Sequence, residues 1–101
     1  MALPQPKPLR LAGLARRAGK LVCGADAVKT EAGRARLILI AEDAGNTTKR
    51  NAEKYGRPVV TLPYSTEEMG RAVGKARCAI AAVIDEHFSE GIRTALQMEE
   101  S

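Results

Sequence analysis

Leu37-Ile38-Leu39-Ile40-Ala41 is an unbroken apolar run held between the charged residues Arg36 and Glu42. A half-exposed strand would alternate apolar and polar residues, so five apolar positions in succession suit a short strand covered on both faces, as in a parallel sheet. Upstream, Gly24 opens a helix in which Val28 and Ala32 share one face and which stops near Gly33, and Leu21-Val22-Cys23 precedes it as a short strand. Leu9 to Ala18 places Leu11, Leu14, Ala15 and Ala18 at helical spacing with Arg10 and Arg17 on the other face, and Gly19 is positioned to end that helix.

Downstream, Glu42-Asp43-Ala44-Gly45-Asn46 is a loop by composition, and Asn46 or Thr47 is expected to cap a helix reaching Tyr55. Gly56-Arg57-Pro58 breaks that helix before the strand Val59 to Leu62, which Pro63 closes. Ser65 and Glu68 have capping-box spacing, and Met69, Ala72, Val73 and Ala76 form the apolar stripe of the next helix. Cys78 to Ile84 reads as the last strand, and Phe88, Ile92, Ala95 and Leu96 line a final helix. Regular alternation of this kind predicts a three-layer α/β/α sandwich with a four-stranded mixed, mostly parallel sheet. Residues 9–101 are expected to form one domain, and the proline-rich residues 1–8 a flexible N-terminal tail.

The composition, 45% hydrophobic and 28% charged, is that of a globular domain. One Phe, two Tyr and no Trp argue against base stacking on aromatic platforms. The formal charge is +4, and its distribution is uneven. Up to Arg36, Lys7, Arg10, Arg16, Arg17, Lys20, Lys29, Arg34 and Arg36 stand against only Asp26 and Glu31, whereas the remainder holds eight bases and ten acids. Such a footprint fits a phosphate-rich partner, or a solvated basic face that serves solubility. Cys23 and Cys78 lack CxxC spacing and lie in apolar runs, which reads as buried reduced thiols of a cytoplasmic protein. No membrane segment or signal peptide is legible, and no metal or cofactor is expected.

Gly19 to Thr30 is the stretch with the most chemistry. Gly24 has no Cβ to hold a ligand away from the backbone, and the helix it opens leaves its first N–H groups unpaired, an arrangement that attracts anions. An ordinary helix cap has the same sequence, and Lys20 and Lys29 on either side favour the anion site. Asp26 suits the positive end of the helix dipole, and as a carboxylate it would meet base edges sooner than phosphate. Gly70-Arg71-Ala72-Val73-Gly74-Lys75-Ala76 resembles a phosphate loop but is one residue short between its glycines, has Ala76 where a hydroxyl binds magnesium, and precedes a strand. Gly74 through Arg77 reads instead as a mobile basic loop. Asp85-Glu86-His87 with Ser89 supplies the residue types of hydrolytic catalysis without converging elements, so a surface turn is expected.

With those residues in view, the sequence resembles the ribosomal-protein superfamily of kink-turn RNA binders, the L7Ae and L30e type, in its small bacterial YlxQ-like branch. The resemblance runs from about Leu9 to Leu96. Its anchors are Gly13-Leu14-Ala15-Arg16-Arg17-Ala18-Gly19-Lys20-Leu21, Gly24 with its helix, Leu37 to Asp43, Asn46-Thr47-Thr48-Lys49, and Gly70 to Lys75 leading into Cys78 to Ile84. It implies an α/β/α sandwich that binds RNA on Gly24 through Thr30 and on the loop Gly74 through Cys78. The well-studied members read sheared G·A pairs with an Asn and a Glu and place a basic residue one turn later. Here Asp26 stands at the Asn position, Ala27 at the Glu position and Thr30 at the basic position, with Lys29 one residue earlier.

The expected function is therefore non-catalytic binding of structured RNA, ribosomal or otherwise linked to translation, with no DNA and no membrane involved. Lys20, Gly24, Ala25, Asp26, Ala27, Lys29, Thr30, Gly74, Lys75, Ala76 and Arg77 are the expected contacts, with Arg16 and Arg17 as a possible extension. A protein-interaction module and a small enzyme built on Asp43, Asp85 and His87 are the alternatives.

Overall fold

The computed structural model describes residues 5–100, and the extreme termini lie outside them. In chain order the elements are α1 (Lys7–Arg17), β1 (Leu21–Cys23), α2 (Ala25–Glu31) prolonged by a 3-10 turn (Ala32–Arg34), β2 (Leu37–Ala41), α3 (Asn46–Lys54), β3 (Val59–Leu62), α4 (Thr66–Val73), β4 (Ile80–Val83) and α5 (Glu86–Glu100). Along β2 the side chains alternate between two cores, as strand geometry requires. Leu37, Leu39 and Ala41 join residues of α1, α4 and α5, including Leu9, Ala12, Met69, Val73, Ile92 and Leu96. Ile38 and Ile40 join Val28 of α2 and Ala52 of α3 on the other face. The expected three layers follow, with the apolar run buried on both sides.

The sheet order is β1-β4-β2-β3. β2 and β3 pair in parallel, but β4 pairs antiparallel with both β1 and β2, so the sheet is not mostly parallel by its pairings. The reason is topological. β1, β2 and β3 do run the same way, as strands separated by single helices should, but β4 enters between β1 and β2 in the opposite direction. Sequence alternation reports strand direction better than it reports neighbours.

Several element boundaries differ from the sequence expectation. α1 begins at Lys7, and Pro8 is fully buried in its first turn, where a missing N–H costs nothing; the flexible tail therefore does not extend to residue 8. Gly45, not Asn46 or Thr47, is the N-cap of α3, and no side chain caps it. Leu14 is 51% exposed and does not join the core stripe of α1. α4 ends at Val73, because Gly74 turns left-handed (φ 79°) and the Lys75 N–H donates to the Gly70 carbonyl, so Ala76 lies in the loop beyond. Cys78 is also outside β4, since its N–H donates to the Thr66 carbonyl instead of the sheet. The capping box is present: Ser65 Oγ accepts from the Glu68 N–H at 3.1 Å and Glu68 Oε1 from the Ser65 N–H at 3.0 Å.

α1 and α4 pack through a glycine. A Cβ on Gly13 would lie 2.5 Å from the Ala72 carbonyl oxygen, whereas one on Gly33 would meet open space. Gly13→Ala is therefore expected to destabilise the protein by about 1–3 kcal/mol despite the better helix propensity of alanine. Gly33→Ala, which has no positive φ to strain, should stay within about 0.5 kcal/mol of wild type in urea unfolding.

Candidate nucleic-acid interface

Because β1, β2 and β3 share a direction, α2, α3 and α4 all start at one end of the sheet, and β4 receives its incoming loop at that same end. Two backbone bonds fix this junction: the Gly24 N–H donates to the Ile80 carbonyl at 2.9 Å, and the Ala41 N–H to the Ala79 carbonyl at 3.0 Å. The start of β4 thus lies between the α2 opening and the end of β2. Gly24 adopts φ 96°, a conformation that costs most residues with a side chain, and the space where a Cβ would stand is open. Beyond it Ala25, Asp26, Lys29 and Thr30 are exposed and Ala27 is half-buried, while the fully buried Val28 holds the helix on the sheet. Thr30 Oγ1 donates to the Asp26 carbonyl at 3.0 Å, so its hydroxyl lies along the helix.

The loop from Gly74 to Ala79 is seated on α4 rather than mobile. Gly70 has no side chain because the backbone of Ala76 and Arg77 passes there; an added Cβ would come within 2.8 Å of both. Thr66, at the start of α4, holds the far end of the loop. Its carbonyl accepts from the Cys78 N–H at 2.9 Å, and its hydroxyl from Arg77 Nη2 at 3.0 Å. Asp43 completes this tether by accepting from the Thr66 N–H at 2.8 Å. One Arg77 nitrogen is thus tied to the Thr66 hydroxyl, which orients the exposed guanidinium without neutralising it. Lys75 and Ala76 remain exposed.

Two thiols lie beneath the face, Cys23 just before Gly24 and Cys78 at the end of the loop, both buried. The neighbouring Cys78 holds the Cys23 thiol below the usual range; burial opposes this, and the positive charges of Arg16 and Lys75 reinforce it. Cys78, whose thiol donates to the Ile80 carbonyl at 3.4 Å, is pushed up in turn by Cys23 beside it and by burial.

Not all the expected contacts converge. The Lys20 carbonyl accepts from the Ile84 N–H at 2.9 Å, which places Lys20 at the far end of β1 from Gly24. The three residues of β1 separate them, four steps along the chain or about 13 Å at about 3.3 Å per step. Arg17 lines a separate groove between α1 and α4 with Arg10, Gly13, Leu14 and Ala72. Sequence reasoning missed Gly70, Thr66 and Asp43, and the exposed Asn46 and Thr47 at the α3 start; the double glycine of 70–74 was the available signal for a close backbone approach. The alternative catalytic set does not converge either. Asp43 is at the Gly24 end, while Asp85, which accepts the Phe88 N–H at 3.0 Å, and His87 are at the opposite one. Among the described residues no group of three or more His, Cys, Asp or Glu is placed to hold a metal ion, and no helix is long and apolar enough to cross a membrane.

A turn opened by Gly24 and a loop seated on Gly70, both at one end of a β1-β4-β2-β3 sandwich, define a known class. Residues 9–92 match the model of the Ribosomal protein L7Ae/L30e/S12e/Gadd45 family, and the chain belongs to that family. Within it the chain is YlxQ-like. It is 38% identical over 93 residues to the RNA-binding protein YlxQ of Bacillus subtilis (strain 168), covering 85% of this chain and 91% of that one. It is 28% identical over 99 residues to the RNA-binding protein YlxQ of Enterococcus faecium, covering 90% and 92%. A solved protein of unknown function from Bacillus halodurans superposes with a TM-score of 0.82 at 30% identity, covering 92% of this chain and 99% of that one. The 15.5kD RNA binding protein of Giardia lamblia shares the fold, with a TM-score of 0.68 at 20% identity over 93% and 85% of the two chains.

Two outcomes test this geometry. Gly70→Ala should unseat the loop, and hydrogen exchange at the Cys78 amide should accelerate about tenfold or more if the tether weakens by about 1.4 kcal/mol; Gly91→Ala, where a Cβ meets only Leu11 Cδ1 at 3.5 Å, should leave it unchanged. The thiol pair predicts a pH dependence. Cys23 ionises more readily folded than unfolded, so unfolding takes up a proton between its lowered value and the ordinary thiol range near about 8.5, and stability rises with pH there. Cys78→Ala removes the neighbour that lowers Cys23, and the rise in urea midpoint from slightly acidic to slightly basic pH should flatten.

Proposed function

We propose that this protein is a non-catalytic RNA-binding protein that seats structured RNA across the start of α2 and the loop Gly74 to Cys78. The observation that carries the reading is the Gly24 to Ile80 hydrogen bond, which joins these two segments into one face. Gly24 and Ala25 let the RNA backbone approach closely, and the unpaired first N–H groups of α2 lie open to phosphate. Lys29 and Lys75 add charge, and Asp26 accepts hydrogen bonds from base edges. The relatives named RNA-binding protein YlxQ support the ligand class.

The RNA is a kinked internal loop of ribosomal or translation-associated RNA, and the protein acts in the cytoplasm. Because Ala27 offers no acceptor where a guanine edge would be read, recognition rests on RNA shape and phosphate position more than on base identity. A docking module for protein partners would have no RNA affinity at the Gly24 face, so RNA binding decides between the two.

Fluorescence anisotropy with a kink-turn RNA and a straight duplex of equal length tests the proposal. Lys29→Ala and Lys75→Ala should each weaken both complexes and lower the slope of log affinity against log salt by about one unit. Ala27→Glu should raise the preference for the kinked RNA about tenfold, the discrimination expected of one good base-edge contact of about 1–3 kcal/mol. Unchanged affinity in the Lys29→Ala/Lys75→Ala double variant overturns the proposed face.

A further inference from the structure

The sheet has a second charged end. Where β1, β2 and β3 begin and β4 finishes, each of the three incoming strands is preceded by a base: Lys20 before β1, Arg36 before β2, and Arg57 before β3. Backbone bonds align them in one row. The Lys20 carbonyl accepts from the Ile84 N–H at 2.9 Å, the Arg36 N–H donates to the Val83 carbonyl at 2.8 Å, and the Ile38 N–H donates to the Pro58 carbonyl at 2.8 Å. In the order β1-β4-β2-β3 the row spans three strand spacings, about 14 Å. Arg34, Arg36 and Arg57 line one open groove together with Ile84.

Part of this charge has an internal task. Arg57 Nε and Nη2 donate to the Ala32 and Gly33 carbonyls at 3.0 and 2.5 Å, closing the α2 end, and Arg34 pairs with Glu31 at 2.6 Å. Asp85 is turned onto the Phe88 N–H, which leaves Glu86 as the exposed acid at the start of α5. Lys20 and Arg36 are exposed and have neither an ion-pair nor a side-chain hydrogen-bond partner among the described residues. Like charges set side by side without partners repel, and a polyanion relieves that repulsion. A nucleic-acid strand carries one phosphate per nucleotide at regular spacing, so a row of this length can face more than one of them.

The geometry points to a second RNA-backbone contact along Lys20, Arg36 and Arg57, at the sheet end opposite Gly24, so that one molecule of this protein bridges two RNA segments. The inference takes its partner class from the RNA-binding reading above but uses none of the residues proposed to form the Gly24 face, apart from the reassigned Lys20. The contact reads charge and spacing, as contacts to the phosphate backbone do.

Native mass spectrometry of the full chain with a short blunt RNA duplex at low salt tests it, with dissociation constants from a parallel titration. Wild type should bind two duplexes. Lys20→Glu/Arg36→Glu should bind one, with the second affinity lost at least tenfold, and the remaining site should still respond to Lys75→Glu. Lys20→Gln/Arg36→Gln, which only removes charge, should lose part of the second affinity, and both variants should melt within a few degrees of wild type. Arg50→Glu/Arg93→Glu, the same charge change at exposed positions within α3 and α5, should retain two duplexes. A wild type that binds one duplex insensitive to Lys20 and Arg36 overturns the inference while leaving the Gly24 face standing. Equal weakening by the Arg50/Arg93 variant overturns it as general charge, and a row that takes polyglutamate tenfold tighter than RNA overturns it in favour of an acidic protein. One duplex lost with Lys20 and Arg36 but indifferent to Lys75 upholds this row and removes the Gly24 face instead.

Discussion

The antiparallel entry of β4 between β1 and β2 is the constraint on which the molecule depends. Ile80 to Val83 is buried along its whole length and hydrogen-bonded on both sides. Its incoming loop must therefore arrive where β1 and β2 finish, which is also where α2, α3 and α4 start. Glycine at position 24 and the seat at Gly70 are consequences: the first lets the chain leave β1 against Ile80, and the second gives the loop room to pass over α4. The two sheet ends then differ in kind. One collects helix starts and their unpaired N–H groups, with Asp26, Glu67 and Glu68 in first turns. The other collects helix ends, with Arg16, Arg17, Arg34 and Lys54 in last turns, the arrangement that best suits the helix dipoles.

Close backbone approach does here what large side chains do elsewhere. With one Phe and two Tyr in the chain, the layers meet through Ala12, Ala15, Ala52, Ala81 and Ala82 and through Gly13 against Ala72. A thin core of small residues leaves little slack, since the surroundings of an added methyl are backbone and not a flexible side chain. The same economy makes the loop before β4 rigid. Its polar contacts to Thr66, relayed to Asp43, join residues of β2's exit, α4's start and the loop itself, so that displacing one moves the others.

Most of the architecture was legible in the chain. The run 37–41, the glycine and proline breaks and the Ser65–Glu68 box locate elements by local chemistry, and local chemistry is what a sequence displays. Neighbour relations are not local. Nothing in Ile80 to Val83 says that it will sit between β1 and β2, and an alternating pattern of single crossovers suggests parallel neighbours until the last strand is placed. The candidate site divides the same way. Gly24 and its helix announce themselves as a glycine ahead of a helical apolar pattern, whereas the tie of Arg77 to Thr66, eleven residues away, and the separation of Lys20 by the length of β1 emerge only once the strands are paired. Residues close in sequence around a strand are not close in space, because the strand itself carries the chain from one side of the sheet to the other.

The distribution of cation types follows from the same pairing. At the Gly24 end one nitrogen of the loop's guanidinium is tied to Thr66, which orients that charge, while Lys29 and Lys75 are compact and mobile ammonium groups that attract phosphate without fixing its orientation. Orientation on the proposed face must then come from what is rigid there: the amides at the α2 start, the Asp26 carboxylate, and the backbone of a loop pinned at Gly70 and Cys78. At the other end the bases are mostly arginines, two of them already oriented by carbonyls or by Glu31. An arginine held by part of its donor set presents the rest in a fixed direction, which suits a surface that grips a backbone of regular pitch. Shape is thus read at one end and charge spacing at the other, and both follow from which way β4 runs.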